Sequence, residues 1–221
     1  MISKVLIAED HESVNISVRK TLEELHIDNT DYAYYCDDAL QKIQTAKVKN
    51  EPYELLITDL HFDPDGTPQE LSGGQELIVA ARFVQPELKV LVFSADSRAN
   101  VIEGLFEKHS IDGFVRKARH DSKELKTAIS IISNNQRYFP RHLTQLIKQK
   151  NSHNFTEYDI IIITLLSQGM LQKDIPAYLK KNNIQPSGIS SLEKRLNLIR
   201  DALEFTKNEQ LVAFCKDMGI I

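Results

Sequence analysis

The chain has very little cysteine. Its 221 residues include only Cys36 and Cys215, far apart and without metal-ligand spacing. That excludes a disulfide framework and a cysteine metal site, and a reducing compartment is the simpler expectation. Cys215 reads as a small buried apolar residue rather than a redox group. Long hydrophobic runs are also lacking. The best candidate, Ile160–Leu166, is far below the roughly 18 residues of a membrane span. Met1-Ile2-Ser3-Lys4-Val5 leads directly into a strand-like run, without the apolar stretch and cleavage site of a signal peptide. A cytoplasmic protein with no membrane partner is therefore expected. A strong positive charge is missing too. The net charge is −4, with nine basic and eight acidic residues over 150–221 and eighteen basic against twenty-three acidic before them. Any contact with nucleic acid must rest on a local patch, doubled by dimerisation. Neither internal repeats nor low-complexity segments occur.

What is present is alternation. Short apolar runs stand at Val5–Ala8, Leu55–Thr58, Val90–Phe93 and Gly113–Val115, with a weaker one near Thr30–Tyr34. Between them lie stretches of helical spacing. Val14, Val18, Leu22 and Leu25 share one face, and so do Leu77, Ala80, Ala81 and Val84. Val101, Ile102, Leu105 and Phe106 follow, then Leu125, Ile129 and Ile132. Strand–helix alternation predicts an α/β domain over 1–133: a doubly wound, five-stranded parallel sheet with helices on both faces. Residues 134–154, with Asn134, Asn135, Pro140, Asn151, Ser152 and Asn154, read as a linker carrying a short helical pattern at Leu143–Ile147. From 155 to 221 only helical patterns remain, which predicts a small all-α domain.

Ligands of an open parallel sheet bind at the carboxyl ends of its strands. Here those ends carry Glu9 and Asp10, then Asp59, then Ser94, with Lys117 after the last strand. Singly, an acid at a strand end is a turn residue or a helix cap, and a lone lysine is solvated. Five such groups converging on one crevice point to chemistry. Three crowded carboxylates repel unless a cation sits among them, and hard oxygen donors suit Mg²⁺. A phosphoryl group on Asp59 would have its charge spread over Mg²⁺, Lys117 and the Ser94 hydroxyl. His11 and His61 flank the pocket and raise a transition-metal site as the alternative. Both follow their carboxylates in exposed loops, and His11 more simply opens the first helix.

Residues 2–133 resemble the receiver domains of two-component response regulators. The resemblance is carried by Val5-Leu6-Ile7-Ala8-Glu9-Asp10-His11, Leu55-Leu56-Ile57-Thr58-Asp59-Leu60, Ser94-Ala95 and Phe114-Val115-Arg116-Lys117. It implies Asp59 as phosphoacceptor, with Glu9, Asp10, Asp59 and the backbone carbonyl of His61 holding Mg²⁺. Lys117 would pair with the phosphoryl group, Ser94 would be the switch hydroxyl, and Phe114 the aromatic that moves with it. Three features depart from the pattern. The loop Leu60–Gly73 is long, Ala118 stands where proline is common, and Phe114 lacks a tyrosine hydroxyl.

In the C-terminal segment, Phe155-Thr156-Glu157 reads as a helix start and Gly169 as its stop. A short helix over about Gln172–Leu179 follows, then a polar turn through Asn182, Asn183 and Pro186-Ser187-Gly188. The next helix has an apolar stripe of Ile189, Leu192, Leu196, Ile199 and Leu203. Its opposite face carries Ser190, Lys194, Asn197 and Asp201, flanked by Arg195 and Arg200. Lysine and asparagine can read base edges, and serine either bases or phosphate. A last helix, about Asn208–Met218, puts Leu211, Phe214, Cys215 and Met218 on one side. On the exposed residues alone, a solvated face of a helical bundle is the better account, because Glu193 and Asp201 dilute the positive charge.

The order of features tips the balance. Phe155–Ile221 resembles the LuxR-type (NarL-like) helix-turn-helix output domain. The carriers are Phe155-Thr156, Leu165-Leu166-Ser167-Gln168-Gly169, Lys173-Asp174-Ile175, Ser191-Leu192, Leu203, Lys207–Val212 and Gly219-Ile220-Ile221. This implies double-stranded DNA as partner, with Glu193, Lys194 and Asn197 on the DNA-facing side and Ser190 and Arg195 beside them. It also implies pairing of two copies through the last helix. Glu193 stands where the family often has a basic residue, Arg195 where it often has histidine, and the Lys180–Ser187 turn is long. The expectation is a non-enzymatic response regulator, phosphorylated on Asp59 by a sensor histidine kinase and binding DNA as a homodimer. The alternative is a receiver-containing protein-interaction adaptor whose helical domain does not bind DNA specifically.

Overall fold

The structure is a computed structural model, and it describes residues 2–119, 121–140, 143 and 152–221. The helical pattern expected at Leu143–Ile147 lies outside the described residues apart from Leu143. The chain divides into two compact units, Met1–Ser97 with Val101–Pro140, and Arg141–Ile221 with Arg98–Asn100.

The first unit is a five-stranded sheet in the order β2-β1-β3-β4-β5, every pair parallel. Its strands are β1 (Lys4–Ala8), β2 (Asn29–Ala33), β3 (Leu55–Thr58), β4 (Lys89–Ser94) and β5 (Gly113–Arg116). Between and after them run α1 (Glu12–Glu23), α2 (Cys36–Val48), α3 (Gly74–Val84), α4 (Ala99–Lys108) and α5 (Asp121–Ser133). Successive strand residues point to opposite faces, and both faces are covered. Val5, Ile7, Leu55, Ile57, Leu91 and Phe93 join Val18 and Leu22 of α1 and Leu125 and Ile129 of α5 in one core. Leu6, Ala8, Ala33 and Leu56 join Cys36, Ala39 and Ile43 of α2 and Leu77 and Ala81 of α3 in the other. This explains why β1, β3 and β4 read as continuous apolar runs while the edge strand β2 does not. β2 begins one residue earlier than its sequence pattern suggests. After α5, Tyr138 pairs with Gly113 and extends the β5 edge.

The second unit is all-helical among its described residues: α6 (Glu157–Ser167), α7 (Ile175–Lys181), α8 (Ile189–Ala202) and α9 (Asn208–Asp217). α7 starts three residues later than expected. Residues 172–174 form a turn, and Pro176 sits in the first helical turn, where its missing N–H costs nothing. The α8 stripe is buried at Leu192, Leu196, Ile199 and Leu203. Ile189 does not join it and is 41% exposed, because it lies in the first turn, beyond the packed part of the helix. Leu211, Phe214, Cys215 and Met218 of the α9 region are buried.

Candidate functional site

The order of the sheet reverses between β1 and β3: the chain passes from β1 outward to β2, then returns to β3 on the other side. Ligands collect at such a point. The register sets Ala8 beside Thr58, so the residues that follow, Glu9 and Asp59, emerge side by side. The Asp59 amide donates to the Ala8 carbonyl at 3.1 Å, and the Lys117 amide to the Ser94 carbonyl at 2.8 Å. Backbone pairing thus delivers these groups to one end of the sheet.

Their side chains meet there. Lys117 Nζ lies 2.5 Å from Asp59 Oδ2 and 2.7 Å from Glu9 Oε2. Glu9 and Asp59 are both buried. The ammonium is therefore the positive charge that keeps two buried carboxylates together. Burial pushes the Glu9 carboxyl above its ordinary range, and the Lys117 contact only partly offsets this. Burial would lower Lys117, but its bonds to Asp59 and Glu9 outweigh it and hold the ammonium above its usual value. Asp59 Oδ1 accepts from the Leu60 amide at 2.5 Å and the His61 amide at 3.4 Å.

Asp10 is held separately. The Asp63 amide donates to its Oδ2 at 2.7 Å, and the His11 ring contacts Oδ1 at 2.8 Å. Burial works to raise the Asp10 carboxyl, yet these bonds win and leave it lowered. Glu9, Asp10 and His11 offer ligand atoms within 4.8 Å of one another. Asp59 is not of that group. His61 does not join the acids through its ring, which faces Asp96 Oδ2 at 3.4 Å. Among the described residues, two histidines and three carboxylates do not gather into one group of ligand atoms.

Ser94 closes β4 fully buried, its Oγ accepting from the Asp96 amide at 3.4 Å. Phe114 is fully buried within β5. Three contributors went unread in the sequence. Asn15 donates its side-chain amide to the Glu9 carbonyl at 2.9 Å. The Thr58 hydroxyl donates to the Asp59 carbonyl at 2.8 Å. Gly74 opens α3 so close to β3 that a Cβ there would stand 1.7 Å from the Asp59 carbonyl oxygen. The Gly73-Gly74 pair after a long loop was the available signal, since paired glycines mark close backbone approach.

In the second unit Thr156 caps α6 as expected. Its capping-box partner is Asp159, which the Thr-x-x-Asp spacing could have revealed. Asp159 is completely buried and takes two bonds of 2.6 Å from the Arg195 guanidinium. His153 Nε2 lies 3.4 Å from the same carboxylate. Burial works to raise Asp159, but Arg195 and the Thr156 bonds prevail and hold it below the usual carboxylate range. Arg195, expected beside the DNA-facing groups, is instead fixed inward as the fork that ties α8 to α6. Ser190, Glu193, Lys194 and Asn197 remain exposed and line one shallow depression with Leu198 and Asp201. The Asn197 amide oxygen accepts from Arg200, which also reaches Asn208.

A five-stranded parallel sheet in the order 2-1-3-4-5, with acids at its switch point and an all-helical unit after it, is a doubly wound, flavodoxin-like architecture joined to a small helical unit. No protein-family model matches the chain. It is similar to a putative transcriptional regulator of Pseudomonas aeruginosa, 23% identical over 223 residues, spanning 95% of this chain and all of that one. It is also similar to the transcriptional regulatory protein RcsB of Escherichia coli, 24% identical over 198 residues, 86% of this chain and 84% of RcsB. Among solved structures, the chain shares its fold with RcsB captured as two dimers on two parallel DNAs, at TM-score 0.63 and 19% identity over 98% of this chain and 99% of that one. The isolated receiver domain of RcsB from Salmonella enterica serovar Typhimurium, with the phosphomimetic BeF3−, matches at TM-score 0.52 and 20% identity over 66% of this chain and 98% of that one. The likeness in fold thus covers 98% of the chain, both units included.

Proposed function

We propose that the chain is a phosphorylation-controlled transcriptional regulator whose phosphoacceptor is Asp59. The observation that carries this reading is the convergence of Glu9, Asp59 and Lys117, within 2.7 Å of one another through the lysine, at the switch point of the sheet. The donor set that the receiver resemblance implies is all oxygen, the Glu9, Asp10 and Asp59 carboxylates with the His61 backbone carbonyl; of these, Glu9 and Asp10 already offer ligand atoms within 4.8 Å of each other. That suits a hard cation such as Mg²⁺. Bound there, Mg²⁺ would neutralise charge on a transferring phosphoryl group.

The chain's own residues then act as follows. The Asp59 carboxylate attacks phosphorus of a phosphohistidine on a sensor kinase. The P–N bond breaks, and the imidazole leaves with the electron pair. The amides of Leu60 and His61 hold Asp59 Oδ1, which orients the nucleophile. Lys117 is already on Asp59 and stays as counter-ion to the new phosphate. The Ser94 hydroxyl turns toward the phosphoryl oxygens, and Phe114 follows it, biasing a two-state domain. Labelling by acetyl phosphate tests the assignment. Wild-type protein should gain one phosphoryl group and Asp59→Asn none; unchanged labelling of the variant overturns it.

The second unit would read double-stranded DNA as a homodimer through the exposed face of α8, with Ser190, Glu193, Lys194 and Asn197. RcsB, whose fold the chain shares, is captured as dimers on DNA, which supports this reading. The weakly charged face favours the second reading, a protein-interaction adaptor. Retention on promoter DNA with steep loss between low and moderate salt decides for the regulator, and no salt-sensitive complex in either phosphorylation state decides for the adaptor.

A further inference from the structure

The long segment between β3 and α3 is a strap with few attachments. Phe62 near its start and Leu71 near its end pack against the core formed with α2 and α3. Between them residues 63–70 are exposed and arch over a cavity of about 650 Å³ bounded by Tyr34, Tyr35, Phe62 and Pro64. Burial does not hold this arch, so its hydrogen bonds must. Asp37, in the first turn of α2, accepts from the Glu70 amide at 2.7 Å and the Leu71 amide at 3.0 Å. The Tyr35 hydroxyl donates to Asp65 at 2.6 Å. A further attachment is the Asp63 amide, which donates to Asp10 at 2.7 Å.

That last bond joins the strap to the acidic site. A carboxylate on an exposed loop normally samples several rotamers, and ligating a cation costs the entropy of choosing one. Asp10 has already chosen, because the strap amide fixes one oxygen and His11 the other. Each oxygen keeps a second lone pair for a cation. We propose that the strap is a positioning element for the cation site: the Asp63 amide sets the Asp10 carboxylate, and Tyr35 and Asp37 hold the strap so that it can do so. The inference rests on the reading of Glu9, Asp10 and Asp59 as the cation site. Outer-shell partners of metal-ligating carboxylates typically carry 10–100-fold in affinity.

Binding of Mn²⁺ to the full chain, followed by electron paramagnetic resonance and competed with Mg²⁺, tests it. Asp63→Pro removes the N–H and Asp63→Ala keeps it. Asp63→Ala should bind like wild type, and Asp63→Pro about tenfold or more weakly. Tyr35→Phe/Asp37→Asn, which leaves Asp63 intact, should also weaken binding, while amide exchange at residue 63 becomes faster. If wild type binds and Asp10→Asn does not, yet Asp63→Pro and the double variant both match wild type, the strap inference is overturned and the cation site stands. If wild type does not bind, or Asp10→Asn binds equally well, the cation-site reading fails and takes the inference with it.

Discussion

Each unit of the molecule buries carboxylate beside one long cation, and the two arrangements have opposite characters. In the first, a single lysine is shared between Glu9 and Asp59, with Asp10 close by. In the second, one arginine is spent on one aspartate through two parallel bonds, and that aspartate also caps a helix. A lysine ammonium is a compact point charge on a flexible stem. It can turn to a new phosphate without dismantling its surroundings. An arginine fork is planar and directional, and it locks its partner. The first unit therefore keeps an excess of negative charge around a movable cation, which would suit the proposed binding of a divalent ion and a phosphoryl group. The helical unit neutralises its buried acid completely, which suits a scaffold.

Five experiments would sharpen or break that contrast. The largest effect is expected from Asp59→Asn, with complete loss of phosphoryl incorporation and no loss of helical-unit stability, read by intact mass after acetyl phosphate and by denaturant unfolding. Next is Asp159→Ala, which leaves Arg195 without its partner and removes a helix cap. It should cost the helical unit about 3 kcal/mol in urea unfolding, while acetyl-phosphate labelling of Asp59 stays at the wild-type rate. A loss of labelling would show that the two ion systems are not independent. The same pair has an acid signature. Asp159 is held below its ordinary value of 3.8, so its contribution is complete above that pH and disappears as pH falls through the lowered folded-state value. Asp159→Asn should flatten the acid limb of the stability curve below about pH 4.

Gly74→Ala is expected to cost about 2 kcal/mol, because the added methyl must push back the Asp59 carbonyl. Labelling should slow as well, since the displaced backbone carries the phosphoacceptor. The smallest effect is on the α8 face. Glu193→Lys adds a cation among Ser190, Lys194 and Asn197. It should steepen the dependence of log affinity for DNA on log salt by about one unit, and Lys194→Ala should make it shallower by a similar amount. If neither substitution changes retention on DNA at any salt, α8 is not the DNA-facing element.

Much of the first unit was legible because a two-sided parallel sheet writes itself as apolar runs separated by helical periods. The strand-end residues Glu9, Asp10, Asp59, Ser94 and Lys117 could be read in the same way, since parallel strands bring their carboxyl ends to one edge. The geometry within the pocket was not legible. Whether Lys117 pairs with Glu9 or Asp59, or spans both, depends on distances between groups more than fifty residues apart. The role of Arg195 was hidden for the same reason: its helical angle places it on a flank, and only packing against α6 shows that the buried partner is Asp159.

The sequence by itself determined the α/β unit followed by an all-helical one, and which residues stand at the carboxyl edge of the sheet. Local periodicity and strand direction suffice for that. The tertiary structure decided which charges are shared, which are locked, and that the strap over 61–73 reaches back to Asp10. Those outcomes turn on long-range contacts a few ångströms across, where burial strengthens each charge interaction and small differences in distance choose the partner.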